Sequence, residues 1–348
     1  SKTAKIYLVC PANYATGGTE VIHQLAYKLN NLGFSQVFLV YINQTQTNPV
    51  HPNFEKYQTR FSDGIEDAPN HLLIVPEVHT EVLARYKCIQ KSIWWLSVDN
   101  YLQCRKLNSS ILYRIKKLVL KRQLLIPKKL FKFNSQSAHR IFHFYQSEYA
   151  REFLEKNGVW QNKAYLSDYL NAAFAKQKFE IGDQKKRTDQ IVYNPAKGLE
   201  FTQKLIAIRP DWSWVPIQKM SPEEVNLLLR ESKVYIDFGH HPGKDRLPRE
   251  AVTAGCCLIT GKQGAAANSV DIPIPPRYKF DEKVVSPDAI LKRIELCLRD
   301  YEHSVGDFDT YRKTILSEEK EFENCIRNSF LSPEIMDAQK GGTAERNL

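Results

Sequence analysis

Residues 243–255 carry the most distinctive chemical pattern of the chain. The polar run Gly243-Lys244-Asp245-Arg246 leads into Leu247-Pro248-Arg249-Glu250-Ala251, and an apolar stretch begins at Cys256. This order predicts a loop, the start of a helix and then a buried strand. The unpaired N–H groups and partial positive charge of a helix N-terminus suit a diphosphate. Glu250 in the first turn would accept hydrogen bonds from sugar hydroxyls, so the pattern indicates a sugar-nucleotide site.

Candidate cations lie beside this pattern. A nucleoside diphosphate that leaves a sugar develops negative charge, which cations and oriented N–H groups stabilise. Lys244 and Arg246 are the candidate donor-binding cations here, and the backbone at Leu247 would add N–H groups. The Gly17–Gly18 pair, which precedes another expected helix, would let the backbone approach a ligand closely, or would simply form a tight turn.

Four further residues are candidates for catalysis. If the reaction inverts the sugar configuration, a base must take a proton from the acceptor. His79 and Asp99 each follow an expected strand in the first half of the chain. His240 and His241 lie between a strand end and the 243–255 pattern, where one of them would contact the donor sugar. We therefore predict that all four belong to the site.

Metal binding is not expected. The 7 cysteines form no Cys-x-x-Cys pair and no close cluster with histidine, which fits buried, reduced thiols in a cytosolic protein. The Asp307-Phe308-Asp309 string precedes a terminal helix and is interpreted as its cap. We therefore predict no metal and no cofactor other than the nucleotide-sugar substrate.

Strand-like and helix-like segments alternate along both halves of the chain and must position these residues. The expected strands cover residues 6–10, 37–42, 72–75, 93–96, 140–144, 190–193, 212–217, 234–238 and 256–260. The expected helices cover 19–32, 147–158, 198–208, 289–299 and 311–330, with another opening at 221. Such alternation predicts parallel sheets covered by helices. A length of 348 residues favours two domains of this kind.

The net charge of +10 is concentrated in one segment. Residues 101–133 hold 10 Lys or Arg and no acid, whereas the rest of the chain is balanced. Such a run is either a solvated face or a basic amphipathic helix that lies on an anionic membrane surface. No recognisable nucleic-acid module accompanies it, so nucleic acid is not an expected partner.

No apolar run reaches 18 residues, and the start of the sequence is unlike a secretory signal. We therefore expect a cytoplasmic protein that is at most peripheral on the inner face of the membrane.

In motif order the chain resembles the GT-B class of nucleotide-sugar glycosyltransferases. The similarity is greatest to the retaining branch with a Glu-x7-Glu signature, the family 4-like group. Gly17-Gly18-Thr19-Glu20 resembles the first glycine-rich loop of that class. Gln146-Ser147-Glu148-Tyr149 resembles the end of its N-terminal domain. Ala196-Lys197-Gly198 resembles its lysine-glycine pair, which binds the donor diphosphate, so the resemblance makes Lys197 a donor-binding cation. Glu250 matches the second glutamate, which binds the ribose in the family. Pro242 stands where the first glutamate belongs. The resemblance therefore does not determine which sugar the donor carries or whether the transfer retains its configuration.

The resemblance implies an α/β fold of two Rossmann-like doubly wound domains that face a central cleft. Residues 1–165 would form the acceptor domain, 166–330 the donor domain and 331–348 a polar tail. The implied activity is transfer of a sugar from a nucleotide-diphosphate donor to a glycan or lipid-linked acceptor at the cytoplasmic membrane face. A nucleotide-sugar epimerase, a non-catalytic binding protein on the same fold and a basic nucleic-acid binder are the alternatives.

Overall fold

The computed structural model of the chain describes residues 4–44, 46–110, 129–134, 140–171, 174 and 187–331. In these ranges, no helix combines the length and the apolar character that a membrane span requires. Contacts divide the chain into two compact units, Ser1–Asp168 with Phe322–Leu348, and Tyr169–Glu321. Most of the basic segment (111–128) and nearly all of the tail (332–348) lie outside the described residues.

The first unit is built on one parallel sheet. Its strands are β1 Ile6–Pro11, β2 Val37–Ile42, β3 Leu72–Pro76, β4 Gln90–Trp95, β5 Phe142–Tyr145 and β6 Lys163–Tyr165. They lie in the order β2-β1-β3-β4-β5-β6, with every neighbouring pair parallel. The helices are α1 Gly17–Asn31, α2 Val98–Ser109 and α3 Glu148–Lys156, with 3-10 segments at Pro52–Tyr57 and Glu77–Arg85.

Helix α1 shows how the sequence sets these elements. Thr16 caps it: its Oγ1 accepts the Thr19 N–H at 3.3 Å, and Thr19 Oγ1 accepts the Thr16 N–H at 2.8 Å. Residues 19–26 are all buried, so the helix is enclosed on more than its apolar face. Gly33, with a φ of +92°, then lets the chain turn away.

The second unit repeats the same architecture. Its strands are β7 Thr188–Tyr193, β8 Ser213–Pro216, β9 Ser232–Asp237, β10 Cys257–Gly261 and β11 Lys279–Phe280. They form a parallel sheet in the order β11-β10-β9-β7-β8. The helices are α4 Leu199–Ile208, α5 Pro222–Glu231, α6 Arg246–Ala254, α7 Pro287–Arg299, α8 Tyr301–Gly306 and α9 Asp309–Phe330, with 3-10 turns at Ala265–Ala267 and Pro276–Tyr278.

Helix α9 begins in the second unit and ends in the first. Its last part packs on the first sheet, because Phe322 stacks on Trp94 with ring centroids 6.4 Å apart and Phe330 stacks on Phe144 at 5.6 Å. Residues 322–331 therefore group with the first unit, whereas the sequence prediction placed all of 166–330 together.

The predicted fold class is confirmed: the chain holds two doubly wound parallel sheets with helices between successive strands. In each sheet the chain reverses its direction of growth at one place, between β1 and β3 in the first and between β7 and β9 in the second. Loops that leave the carboxyl ends of such strands diverge and open a crevice, which is where open α/β sheets bind ligands.

Candidate functional site

The loops that follow β7 and β9 lie against each other at the switch point of the second sheet. Gly198 has a φ of +66°, and a Cβ there would lie 2.5 Å from Gly239 N and from Phe238 C. A Cβ on Gly239 would in turn lie 2.5 Å from Lys197 Cγ. Both positions need glycine, because only glycine lets the two backbones and the Lys197 side chain come this close.

Four charged or titratable side chains meet at this edge. Lys197 Nζ lies 3.4 Å from Asp237 Oδ2 and also contacts Asp245. His241 Nε2 is 3.5 Å from Asp237 Oδ1, and His241 Nδ1 is 3.2 Å from Asp245 Oδ2. Asp237 also accepts hydrogen bonds from the Tyr235 hydroxyl at 3.1 Å and the Gly239 N–H at 3.0 Å. The cluster is thus a network around the buried Asp237, with Lys197 and Asp245 partly exposed.

Both Asp237 and Lys197 are held in their charged forms. Burial opposes ionisation of Asp237, but His241, Lys197 and the Gly239 N–H outweigh it and hold the pKa of the carboxyl at about 2. Burial also disfavours the Lys197 cation, but the two carboxylates raise the pKa of its ammonium. Lys197 therefore stays a cation at neutral pH, at a place where an anion can approach it.

The same side chains raise the question of a metal. One ligand atom each from Asp237, His241 and Asp245 lies within 4.8 Å of the other two. The Lys197 ammonium, however, already contacts both carboxylates. The two ring nitrogens of His241 also face different carboxylates rather than one shared point. The arrangement therefore suits an ammonium more than a divalent ion.

Helix α6 begins at this cluster. Asp245 is its N-cap residue, but the side chain caps none of the helix N–H groups because it turns to Lys197 and His241. The first N–H groups of α6 thus lack their usual side-chain acceptor. Glu250 is buried one turn along, with Arg246 Nε 4.0 Å from its Oε1. Lys197, Arg246, Leu247 and Glu250 are therefore brought to one edge of the sheet.

Other predicted residues have different surroundings. The Lys244 ammonium lies 2.9 Å from Glu318 Oε1 on α9. His241 is fully buried, whereas His240 is exposed, with its Nε2 near Gly264. The structure therefore gives His241 a place inside the charge network and leaves His240 at the surface of the loop.

The predicted residues of the first unit follow β1, β3 and β4 at the carboxyl edge of their sheet. Gly17 opens α1, and Asp99 lies in the first turn of α2 with the Tyr149 hydroxyl 3.4 Å from its Oδ1. His79 Nδ1 is 3.6 Å from Glu81 Oε1. A Cβ at Gly18 would meet Leu96 only at ordinary contact distance, 3.7 Å. Packing within the unit therefore does not require a glycine at position 18.

Sequence reasoning missed a buried acid at the same edge. Glu77 follows β3 directly and accepts the Leu96 N–H at 3.0 Å. Burial raises the pKa of its carboxyl to about 7, although backbone N–H groups oppose the rise. Its place after a strand end, next to His79, was the signal available in the sequence.

The Asp307–Asp309 string has structural partners. Asp307 contacts the Tyr278 hydroxyl and pairs with Arg277 at 2.6 Å, and Asp309 pairs with Arg312 in the first turn of α9. Both carboxylates are thus engaged by side chains. Asp309 is the first residue of α9 and Asp307 is the C-cap residue of α8, so the interpretation of this string as the N-terminal cap of the terminal helix was wrong.

Several solved structures superpose on most of this chain, among them a protein in complex with UDP. The chain superposes on sucrose-phosphate synthase from Thermosynechococcus elongatus with a TM-score of 0.59 at 12% identity, covering 96% of this chain and 100% of that one. It superposes on Anabaena HepE in complex with UDP with a TM-score of 0.54 at 11% identity, covering 94% and 99%. It superposes on TarM with a TM-score of 0.52 at 10% identity. That superposition covers 77% of this chain but only 56% of TarM.

No protein-family profile matches the chain, and no curated protein matches it in sequence. The structural likenesses therefore define the fold: two Rossmann-like parallel-sheet units of the GT-B type.

Proposed function

We propose that this chain is a glycosyltransferase that moves a sugar from a nucleotide-diphosphate donor to a glycan or lipid-linked acceptor. The observation that carries the proposal is the convergence of Lys197, the start of α6 and Glu250 at the switch point of the second sheet. This is the place where α/β sheets bind nucleotides. Solved structures of the same fold include one in complex with UDP, which supports a nucleotide-sugar donor.

In this proposal the second unit binds the donor. The diphosphate lies against the Lys197 ammonium and the N–H groups at the start of α6, with Arg246 alongside. These groups stabilise the charge that grows on the departing diphosphate, without reorganising at the moment of bond cleavage. Glu250 accepts hydrogen bonds from the ribose hydroxyls. The charge of the leaving group is then met by side chains and backbone, so a metal is not needed.

The first unit supplies the acceptor side. If the transfer inverts configuration, His79 or Asp99 takes the proton of the acceptor hydroxyl, since both follow strands at the carboxyl edge of the first sheet. The basic segment at 101–133 would hold the protein on an anionic membrane at its cytoplasmic face, where a lipid-linked acceptor would be presented.

A thermal-shift screen tests the proposal. The protein is heated with UDP, GDP, ADP, dTDP and CMP and their sugar conjugates, with and without EDTA. A ligand that binds only the folded state adds about 2.7 kcal/mol of stability at a hundredfold excess over its Kd. We expect one nucleotide and its conjugates to raise Tm equally in both buffers. If no nucleotide raises Tm, the chain is not a nucleotide-sugar enzyme. If EDTA abolishes the rise in Tm, only the proposed independence from metal is contradicted.

A further inference from the structure

Arg249, in the first turn of α6, pairs with a residue of α9. Its side chain is fully buried, and Nη1 donates to Glu318 Oε2 on α9 at 2.7 Å. The guanidinium also donates to two backbone carbonyls of the preceding loop, from Nε to Asp245 O and from Nη2 to Lys244 O, both at 3.2 Å. Arg249 therefore fixes the path of the backbone that enters α6.

Glu318 is a counter-charge both for Lys244 of this loop and for Arg249 of α6. Its Oε2 accepts from Arg249, and its Oε1 lies 2.9 Å from Lys244 Nζ. Glu318 is itself buried, so the pair with Arg249 is an ion pair removed from water. Removing one partner of such a pair leaves a buried charge unsatisfied, and the surrounding structure must move to solvate it.

The loop needs this outside support because its own cap residue is engaged elsewhere. Asp245 would normally fix the start of α6 by accepting a helix N–H, but its carboxylate turns to Lys197 and His241. Without that local cap, the Arg249–Glu318 pair and the two carbonyl contacts hold the loop in place.

From this geometry we infer that Glu318, a residue of the terminal helix, is a positioning residue for the diphosphate end of α6. It touches no donor atom in this arrangement and acts through Arg249 and Lys244. The inference rests on the proposed function, because it concerns the same donor site.

The test compares Glu318→Gln with Glu319→Gln, which removes the same charge from the adjacent exposed residue of α9. The probe is whichever of UDP, GDP, ADP, dTDP and CMP the wild type binds most tightly, titrated by calorimetry far below the Tm of each variant. We expect Kd to rise about tenfold or more in Glu318→Gln and to stay unchanged in Glu319→Gln. Glu318→Asp, which keeps the charge, should restore part of the affinity.

A purely structural role gives a different result: Glu318→Gln would lower Tm but bind the nucleotide with the wild-type Kd, and this would overturn the inference. The double variant Arg249→Met with Glu318→Leu serves if the single variant does not fold, since it replaces the buried ion pair with apolar side chains. Wild-type affinity in the double variant would also overturn it. If the wild type binds none of the five nucleotides, the proposed function fails and this inference with it.

Discussion

Lys197 Nζ lies 3.4 Å from Asp237 Oδ2, so the cation proposed to hold the donor diphosphate already has a buried carboxylate as its partner. A second carboxylate, Asp245, contacts the same ammonium from the loop before α6. Binding of a diphosphate at Lys197 is then an exchange of anions rather than the filling of an uncompensated positive site. Asp237 is buried and fixed by Tyr235 and Gly239, so Asp245 is the partner that can give way.

Asp245→Asn should therefore tighten the binding of a nucleoside diphosphate. The substitution keeps the size of the side chain and removes a negative charge beside the incoming phosphates. The expected fall in Kd is about three- to tenfold, since an interaction of ~1 kcal/mol is typical of charges at a partly solvated site. Calorimetric titration at low and high salt measures it, with Asp288→Asn at the start of α7 as the charge-matched control. Weaker binding in Asp245→Asn would mean that Asp245 helps the ligand rather than competing with it.

Glu250→Ala should weaken nucleotide binding without unfolding the protein. Glu250 is proposed to accept hydrogen bonds from the ribose, and a hydrogen bond to a charged group contributes about 1.5–3 kcal/mol, or roughly ten- to hundredfold in Kd. Glu295→Ala, at an exposed position of α7, is the control. The Kd of the nucleotide and a circular-dichroism melt separate binding from folding. An unchanged Kd in a folded variant would remove Glu250 from the site.

Gly198→Ala should destabilise the second unit. Its φ of +66° is unfavourable for alanine, and the new Cβ would lie 2.5 Å from backbone atoms of Phe238 and Gly239. We expect a loss of at least about 2 kcal/mol, from backbone strain together with the clash. Gly306→Ala is the control, because a Cβ there meets nothing within 4 Å. Equal free energies of unfolding by urea for the two variants would show that the two loops do not need this close approach.

The sequence predicted the elements better than the side-chain network. Periodicity and turn residues placed nine of the eleven described strands, and the resemblance selected Lys197 and Glu250. The strands β6 and β11 were missed, because three and two residues are too few to show a periodicity. Asp237, as the last residue of β9, could have been found by asking which acids end a buried strand. Glu318 could not, because only folding brings it to Arg249, 69 positions earlier in the chain. Local pattern reveals what a residue can do, whereas its partner depends on how distant helices pack.

The basic segment should hold the protein on anionic membranes. Replacing Lys116, Lys117 and Lys121 with Gln removes three charges from the run at 101–133. Each lysine near an anionic surface contributes about 1 kcal/mol, so vesicle binding should fall at least about tenfold. Sedimentation with phosphatidylserine-containing and phosphatidylcholine vesicles measures it. The control variant replaces the exposed Lys204, Lys313 and Lys320 with Gln. An equal loss of vesicle binding in both triple variants would contradict the role of the segment. Undiminished vesicle binding in the variant of the basic segment would contradict it as well.

His143 should make the first unit less stable in acid. It is fully buried on β5 and accepts a hydrogen bond from Trp95 Nε1 at 3.0 Å, and burial lowers the pKa of its imidazole to about 3 from an ordinary 6.5. Below pH 6.5 the unfolded chain therefore binds a proton that the folded chain does not. Stability is lost as the pH falls from 6.5 toward 3, by about 1.4 kcal/mol per pH unit.

Glu77 acts in the opposite direction in part of this range. The pKa of its buried carboxyl is raised from 4.5 to about 7, so its contribution to stability is lost as the pH rises between those values. A single stability curve for the wild type would mix the two effects. Comparison with His143→Asn isolates the histidine, because the amide oxygen can still accept from Trp95 but does not titrate. Urea unfolding at pH 7, 6, 5 and 4 should give a wild-type free energy of unfolding that declines relative to the variant at each step. Parallel curves would show that folding does not lower the pKa of His143.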